Sequence, residues 1–507
     1  MSFQFMMLLN VVAGTLRSLV APLWQVLREC EGVLRRESYS VNSNKLAEFF
    51  VHLNKMSSVP VFHTTHAADC DPVSQLALLS HQHPGFPEYG PTCRCVFGDF
   101  TTNRLSRAHR EEVLDLEPDE DEADLEKSFH DWKKQGDLLF SNPSKYLPAD
   151  AEDWCLRHKD MCSVFQTIQE ETVQSLEITL PALPKRKEIT LVTGGTTCTD
   201  FAGYGGRSGE AGKSMKAMNA FCCDVLASEP EIWCTEISGA DLGYYRSRVG
   251  HKYFIEGIHI DAVFANGGRR SRLFAWGAHW RKTRYHGSAH RFAAMMQRKR
   301  LLTGRDYVVE PASGRFREAR ARAKVSGNFF HRSETDPIPI PMQLTALQLA
   351  RYYEHKAAMI NDWQHSNNAD VVGPESESGC QIAGWICDIE QHTDFTRSGE
   401  LWPPLVTHGL VIDLHNDVIA TAVGHLLLMG ESVGMPKDYF GDQYVCCIRE
   451  LIHKLTSSNK GCHSVKKLAG NSMVMSCIGL WLLYNISETE AQVSPNHVNI
   501  QLSKICT

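Results

Sequence analysis

The chain has 507 residues, 43% of them hydrophobic and 22% charged, which excludes wholesale disorder and provides apolar material for roughly two to four domains. A net charge of −7 excludes a generic polycationic coat, so any nucleic-acid surface must be local. The 17 cysteines, odd in number and without a short regular framework, fit reduced thiols in a nucleus or cytoplasm rather than a disulfide-stapled secreted domain.

The chain opens on MSFQFMMLLNVVAG, which lacks a basic start and continues into an amphipathic stretch. It is read as a buried first strand and helix rather than a signal peptide. No later apolar run is long enough to span a bilayer. Residues 1 to about 100 alternate short apolar runs with helical patterns, as α/β units do. From about 107 to 187 an acidic run, EPDEDEADLEK, leads into a polar stretch read as a solvated, partly helical insertion. EITLVTGG, EIWCTEI and RLFAWGAHW then predict three strands, which complete a first domain over 1–280. RKTRYHGSAHRF, MQRKR and GRFREARARAK make residues 281–324 basic, the start of a second region over 281–400 that PIPIPM interrupts. The final segment, 401–507, holds two helical patterns, the clearer being GNSMVMSCIGLWLLYNI.

The segment 191–214, LVTGGTTCTDFAGYGGRSGEAGKS, carries the most chemistry. It ends in Gly212-Lys213-Ser214, like a phosphate-binding loop, but the glycine required five positions earlier is Arg207. A nucleotide triphosphatase is therefore set aside. The other reading puts Cys198 in a tight turn at the mouth of a strand, where a nearby helix N-terminus would favour its thiolate.

Thr197-Cys198-Thr199-Asp200-Phe201-Ala202-Gly203-Tyr204-Gly205 resembles the nucleophile loop of the cytosine-5 methyltransferases, with threonines at the family's proline and glutamine positions. Further segments follow in the family's order. Asp69 and Cys70, in ADCD, are similar to the segment that holds the cofactor's ribose and packs on its adenine. Gly98-Asp99-Phe100 resembles the one whose aspartate accepts from the adenine amino group. Glu236 ends a strand 38 residues after Cys198 (198 to 236), as the family's glutamate does, with Ile237 in place of its asparagine. Arg270-Ser271-Arg272 leads into a strand like the family's Arg-x-Arg, and Gly470-Asn471-Ser472 is similar to its closing segment. The family's first, glycine-rich cofactor loop has its nearest match in Val12-Ala13-Gly14-Thr15-Leu16-Arg17, which keeps one glycine.

The resemblance implies an α/β fold: a doubly wound, Rossmann-like methyltransferase sheet with a smaller target-recognition region at 281–400 and a C-terminal segment returning to the first domain. It implies S-adenosylmethionine as cofactor and nucleic acid as substrate, DNA ahead of RNA. By matched position, Cys198, Glu236, Arg270 and Arg272 would be catalytic, and Asp69, Cys70, Asp99, Asn471 and Ser472 would bind the cofactor. The Lys/Arg-rich stretch 281–324, with Arg315, Arg317, Arg320 and Arg322 in it, would grip phosphates. A catalytically silent, nucleic-acid-binding member and an RNA methyltransferase remain alternatives. Cys155-x-x-His158-x-x-x-Cys162 and Cys93-x-Cys95 each suggest zinc, but neither has a well-spaced second pair, so no metal site is expected. His251, His259 and His279 are read as surface residues.

Overall fold

A computed structural model describes residues 5–12, 62–80, 93–101, 105, 109–118, 124–165, 188–195, 200–201, 208–239, 241–264, 268–296, 304–308, 312–327, 337–368, 385–393, 399, 401–405, 409–429, 449–456, 458–471 and 474–491. The chain is mixed α/β. Its strands, in chain order, are β1 (Phe5–Val12), β2 (Phe62–Ala68), β3 (Cys93–Phe97), β4 (Glu152–Cys155), β5 (Asp160–Ser163), β6 (Glu188–Gly195), β7 (Ile232–Ile237), β8 (Tyr253–Asp261) and β9 (Ser271–His279). Seven of these form one sheet in the order β3-β2-β1-β6-β7-β9-β8. β2 and β3 run parallel, as do β6 and β7, whereas β9 is antiparallel to both of its neighbours. The three strands predicted from EITLVTGG, EIWCTEI and RLFAWGAHW are β6, β7 and β9.

Side chains alternate across the sheet, as the two-residue strand period requires. On one face Leu191, Ile232, Cys234, Phe274 and Trp276 pack with residues of the Ala422–Leu428, Asn459–Asn471 and Met475–Ser487 helices, Trp481 among them. The C-terminal segment thus returns to the sheet. On the other face Val192, Trp233, Ile237 and Leu273 pack under the Ser214–Ser228 and Leu242–Val249 helices. Gly277 lies opposite Trp233 in the register, and a Cβ there would stand 2.0 Å from the indole nitrogen, so this position admits only glycine beside that ring.

Three expectations need correction. The stretch around 107–187 is not a solvated appendage where it is described. The Leu125–Ser141 helix buries Trp132 and Leu139, and Asn219 donates to the Trp132 carbonyl at 3.0 Å, because its polar and apolar faces are well separated. β1 is a strand, as expected, but it runs antiparallel to both β2 and β6. His279 is buried, edge-on to Tyr253, rather than on a surface turn.

The region after β9 begins with a short strand, β10 (Thr283–Tyr285), paired with β14 (Thr489–Ala491). Further on, β11 (Ile386–Asp388), β12 (Val411–Asp413) and β13 (Val418–Ile419) form a small antiparallel sheet. It packs with Ile340, Leu344 and Tyr352 in a core of its own. Among the described residues no helix is long and apolar enough to cross a membrane.

Candidate functional site

The register draws one row across the sheet: Phe97 beside Ala68, Ala68 beside Met6, Phe5 beside Gly195, Gly195 beside Glu236, and Glu236 beside Phe274. The carboxyl ends of β2, β3, β6 and β7 lie along this edge, and antiparallel β9 starts from it. Asp69, Asp99, Glu236, Arg270 and Arg272 therefore gather at one edge, although they are spread over two hundred residues of sequence. Neighbouring strands are about 4.8 Å apart, so the three steps from β2 to β7 separate Asp69 from Glu236 by roughly 14 Å.

At the β7 end, Glu236 is buried and its Oε1 lies 3.1 Å from Arg272 Nε and 3.9 Å from Arg270 Nε. These are ion pairs without hydrogen-bond alignment, and no donor among the described residues makes a hydrogen bond to Oε1. Arg270 is also buried. Its backbone N–H donates to Asp261 Oδ1 at 2.9 Å, and its Nη1 donates to the Gly470 carbonyl at 3.1 Å. That carbonyl lies in the last turn of the Asn459–Asn471 helix, where backbone acceptors lack intrahelical partners and favour a cation. The glutamate, the Arg-x-Arg pair and the glycine of Gly470-Asn471-Ser472 thus meet in space. The Asn471 side chain and Ser472 lie outside the described residues.

At the β2 end, Asp69 is fully buried. Its Oδ1 accepts from Asp71 N at 2.7 Å, while Oδ2 has no hydrogen-bond partner among the described residues. Burial pushes its carboxyl up to about 8, against the Asp71 amide bond, which favours the charge. Cys70 is half-buried, and burial, reinforced by Asp69 and Asp99, pushes its thiol up to about 11, so it is no nucleophile. Asp99 accepts from Thr101 N at 2.9 Å and Oγ1 at 2.6 Å through its Oδ1.

Sequence reasoning missed the link between the two ends. Lys467, one helical turn before Gly470, donates to Asp71 Oδ1 at 2.8 Å. Burial works against the Asp71 charge, but the Lys467 and Ser74 donors hold its carboxyl below the usual range. One helix therefore reaches the Asp69 turn through Lys467 and the Glu236 cluster through Gly470. The second aspartate of ADCD was the available signal.

Cys198 lies outside the described residues, but both flanks are placed. Gly195 pairs with Glu236, and Asp200 reaches the start of the Ser214–Ser228 helix, accepting from Ser214 N at 2.7 Å and Ser214 Oγ at 2.6 Å. This carboxylate occupies the position a phosphate would need, a physical reason for the failed phosphate-loop match. It also takes up the helix N-terminus that was expected to favour the Cys198 thiolate. Gly239 has φ +67°, and a Cβ there would meet the Phe201 carbonyl at 2.4 Å, so the turn after β7 packs directly on Phe201, three residues after Cys198 in sequence.

One further expectation fails and another is narrowed. Val12, the last residue of β1, pairs with Glu188 at the start of β6, at the edge of the sheet away from Asp69. β1 thus runs away from the edge that carries Asp69; residues 13–17 lie outside the described ones. Within the basic stretch expected to grip phosphates, Arg317 and Arg322 are engaged internally. Arg322 pairs with Glu318 at 3.3 Å and donates to Gln343 at 3.0 Å, and Arg317 donates to Thr456 at 3.3 Å. The Arg315 side chain lies outside the described residues.

The two half-motifs for a metal also meet: Cys95 of β3 joins Cys155, His158 and Cys162 of the β4–β5 hairpin. The expectation that no second pair existed is thereby corrected, since sheet contact supplies what sequence spacing could not.

No protein-family model matches the chain, and no curated protein matches it.

Proposed function

We propose that the chain is an S-adenosylmethionine-dependent cytosine-5 methyltransferase acting on nucleic acid, DNA ahead of RNA. One observation carries this reading: two buried carboxylates stand at the same sheet edge, Asp69, whose Oδ2 has no hydrogen-bond partner among the described residues, and Glu236, held by Arg272 at 3.1 Å. Buried polar atoms are seldom left unpaired, and such atoms point to a missing ligand. Asp69 fits a pair of ribose hydroxyls and Glu236 fits a ring N–H donor. Their separation suits the ribose-to-methyl half of the cofactor followed by one pyrimidine. The strand order is compatible with a doubly wound reading, although β1 runs antiparallel; the parallel pairs β2/β3 and β6/β7 on either side of it bring their carboxyl ends to the same edge. Ligands of such sheets bind beyond the carboxyl ends of the strands at the switch point.

The residues present fit the adenosine half of the cofactor: Asp69 at the ribose, Asp99 at the adenine amino group and Cys70 beside the ring. When bound, the cofactor supplies an electrophilic sulfonium methyl. The chain's own groups would then act on a cytosine flipped out of the stack or already single-stranded. The Cys198 thiolate adds to ring carbon 6, and Glu236 stabilises a proton at ring nitrogen 3, which leaves carbon 5 nucleophilic. After carbon 5 is methylated, loss of its proton restores the double bond and expels the thiolate. Covalent addition divides one difficult displacement into easier steps. Arg272 and Arg270 hold Glu236 in place, and Arg270 in turn is fixed by Gly470.

The orientation of β1 favours one second reading, a silent member that binds nucleic acid without the cofactor. Transfer of labelled methyl groups to cytosine-containing DNA and RNA oligonucleotides separates the two. Incorporation at carbon 5 that Glu236→Ala and Cys198→Ser abolish is expected. Oligonucleotide binding with no incorporation and no cofactor binding would establish the silent reading.

A further inference from the structure

We propose that Cys95, Cys155, His158 and Cys162 bind one structural zinc ion. Their four donor atoms all lie within 4.8 Å of one another. Cys95 Sγ is 3.5 Å from His158 Nδ1, which is 3.2 Å from Cys162 Sγ. Tetrahedral zinc, with zinc–sulfur bonds of about 2.3 Å and zinc–nitrogen bonds of about 2.0 Å, places its ligands roughly 3.5–3.8 Å apart. The cluster is therefore close to its metal-bound dimensions. Three thiolates and an imidazole select zinc over magnesium, calcium or manganese, which prefer oxygen.

The backbone prepares the site. Cys155 and Asp160 form the last pair of the hairpin, and Lys159, with φ +58°, turns the chain left-handed between them. That turn places the His158 N–H 3.5 Å from Cys155 Sγ, a bond that favours the thiolate a metal requires. Cys95 and Cys155 are fully buried, whereas His158 is exposed, so an ion enters from the surface. On binding, the thiols release their protons to solvent and the sulfurs donate to the metal. All four positions are filled by protein, and none is left for a substrate, so the site is structural rather than catalytic.

Its place in the fold says what it holds. β3 is the edge strand of the large sheet, and the hairpin meets it through Leu156 N donating to Val96 O at 2.7 Å. Arg157 also reaches the Leu78 and Leu79 carbonyls at the end of the Pro72–Ser80 helix. A metal joining Cys95 to the hairpin would clamp this edge four residues before Asp99.

Elemental analysis of the full-length chain, purified under reductant without chelator, tests the proposal. About one zinc per chain is expected, together with the near-ultraviolet thiolate-to-metal absorption and intense visible bands of tetrahedral cobalt after exchange. Cys162→Ser, on the half-buried rim, should lose the metal while keeping its far-ultraviolet circular dichroism. Substoichiometric zinc with no cobalt–thiolate bands in the unaltered chain would overturn the proposal, whether or not the variant folds. So would full zinc content in a Cys155→Ser/Cys162→Ser double variant.

Discussion

Asp69 is where burial and charge conflict most openly. Its carboxyl stands at about 8 in the folded chain against an ordinary value of 3.8. A raised folded value contributes stability that is complete below about pH 4 and lost as pH rises toward 8, each unit being worth about 1.4 kcal/mol. Asp69→Asn should therefore flatten the fall in denaturation midpoint between pH 4 and 8. Hydroxyl donors prefer the ionised form, so S-adenosylmethionine should bind more tightly as pH rises from 6 to 9. Asp69→Ala should weaken that binding by roughly ten- to a hundredfold, the loss of a charge-assisted bond of about 1.5–3 kcal/mol. Isothermal titration across this range checks both, and a pH-independent affinity would remove Asp69 from the site. Gly239 makes a different demand. Alanine there must adopt the left-handed region, at about 1–2 kcal/mol, and push against Phe201. Gly239→Ala should slow methyl transfer much more than it lowers the melting temperature, because the strain falls on Phe201, three residues after the proposed nucleophile. Equal loss of both would mean that the turn is only structural.

Elements place these residues, and some of their geometry was legible in advance. Asp69, Glu236 and Arg270 sit where apolar runs stop, so strand ends and their polar residues could be read directly. The direction of β1 could not, because FMMLLNVV is nearly uniform and carries no polarity that distinguishes parallel from antiparallel pairing. The metal cluster was hidden for a related reason. Cys95 and Cys155 are brought together by contact between β3 and the hairpin, which no spacing rule encodes. The Ala312–Val325 helix misled most. Its arginines read as a phosphate grip, yet Glu318 is buried and accepts from Ala422 N at 3.0 Å, so it caps the Ala422–Leu428 helix with Arg322 as its counter-ion. Arg322→Ala would remove one partner of a buried ion pair, at about 3–5 kcal/mol. Urea denaturation should show that loss, and an unchanged midpoint would return Arg322 to the surface role read from sequence.

For the whole molecule, charge and architecture together limit where the proposed nucleic-acid substrate would dock. Arg281 and Arg284 are exposed, but they follow the far end of β9, away from the edge that carries Glu236. Reversing both to glutamate should leave methyl transfer unchanged within about twofold at moderate salt, since screening extends only about 10 Å. A large loss would place the substrate across that opposite edge. The central claim is that Cys198 attacks cytosine at the edge where Glu236, Arg270 and Arg272 converge. An oligonucleotide carrying 5-fluorocytosine tests it most directly, because fluorine cannot leave as a cation and the covalent intermediate is trapped. With S-adenosylmethionine present, the chain should form an adduct that survives denaturing electrophoresis and maps to Cys198, and Cys198→Ser should form none. An adduct that persists in Cys198→Ser, or none from the unaltered chain while it binds both cofactor and oligonucleotide, would contradict the account.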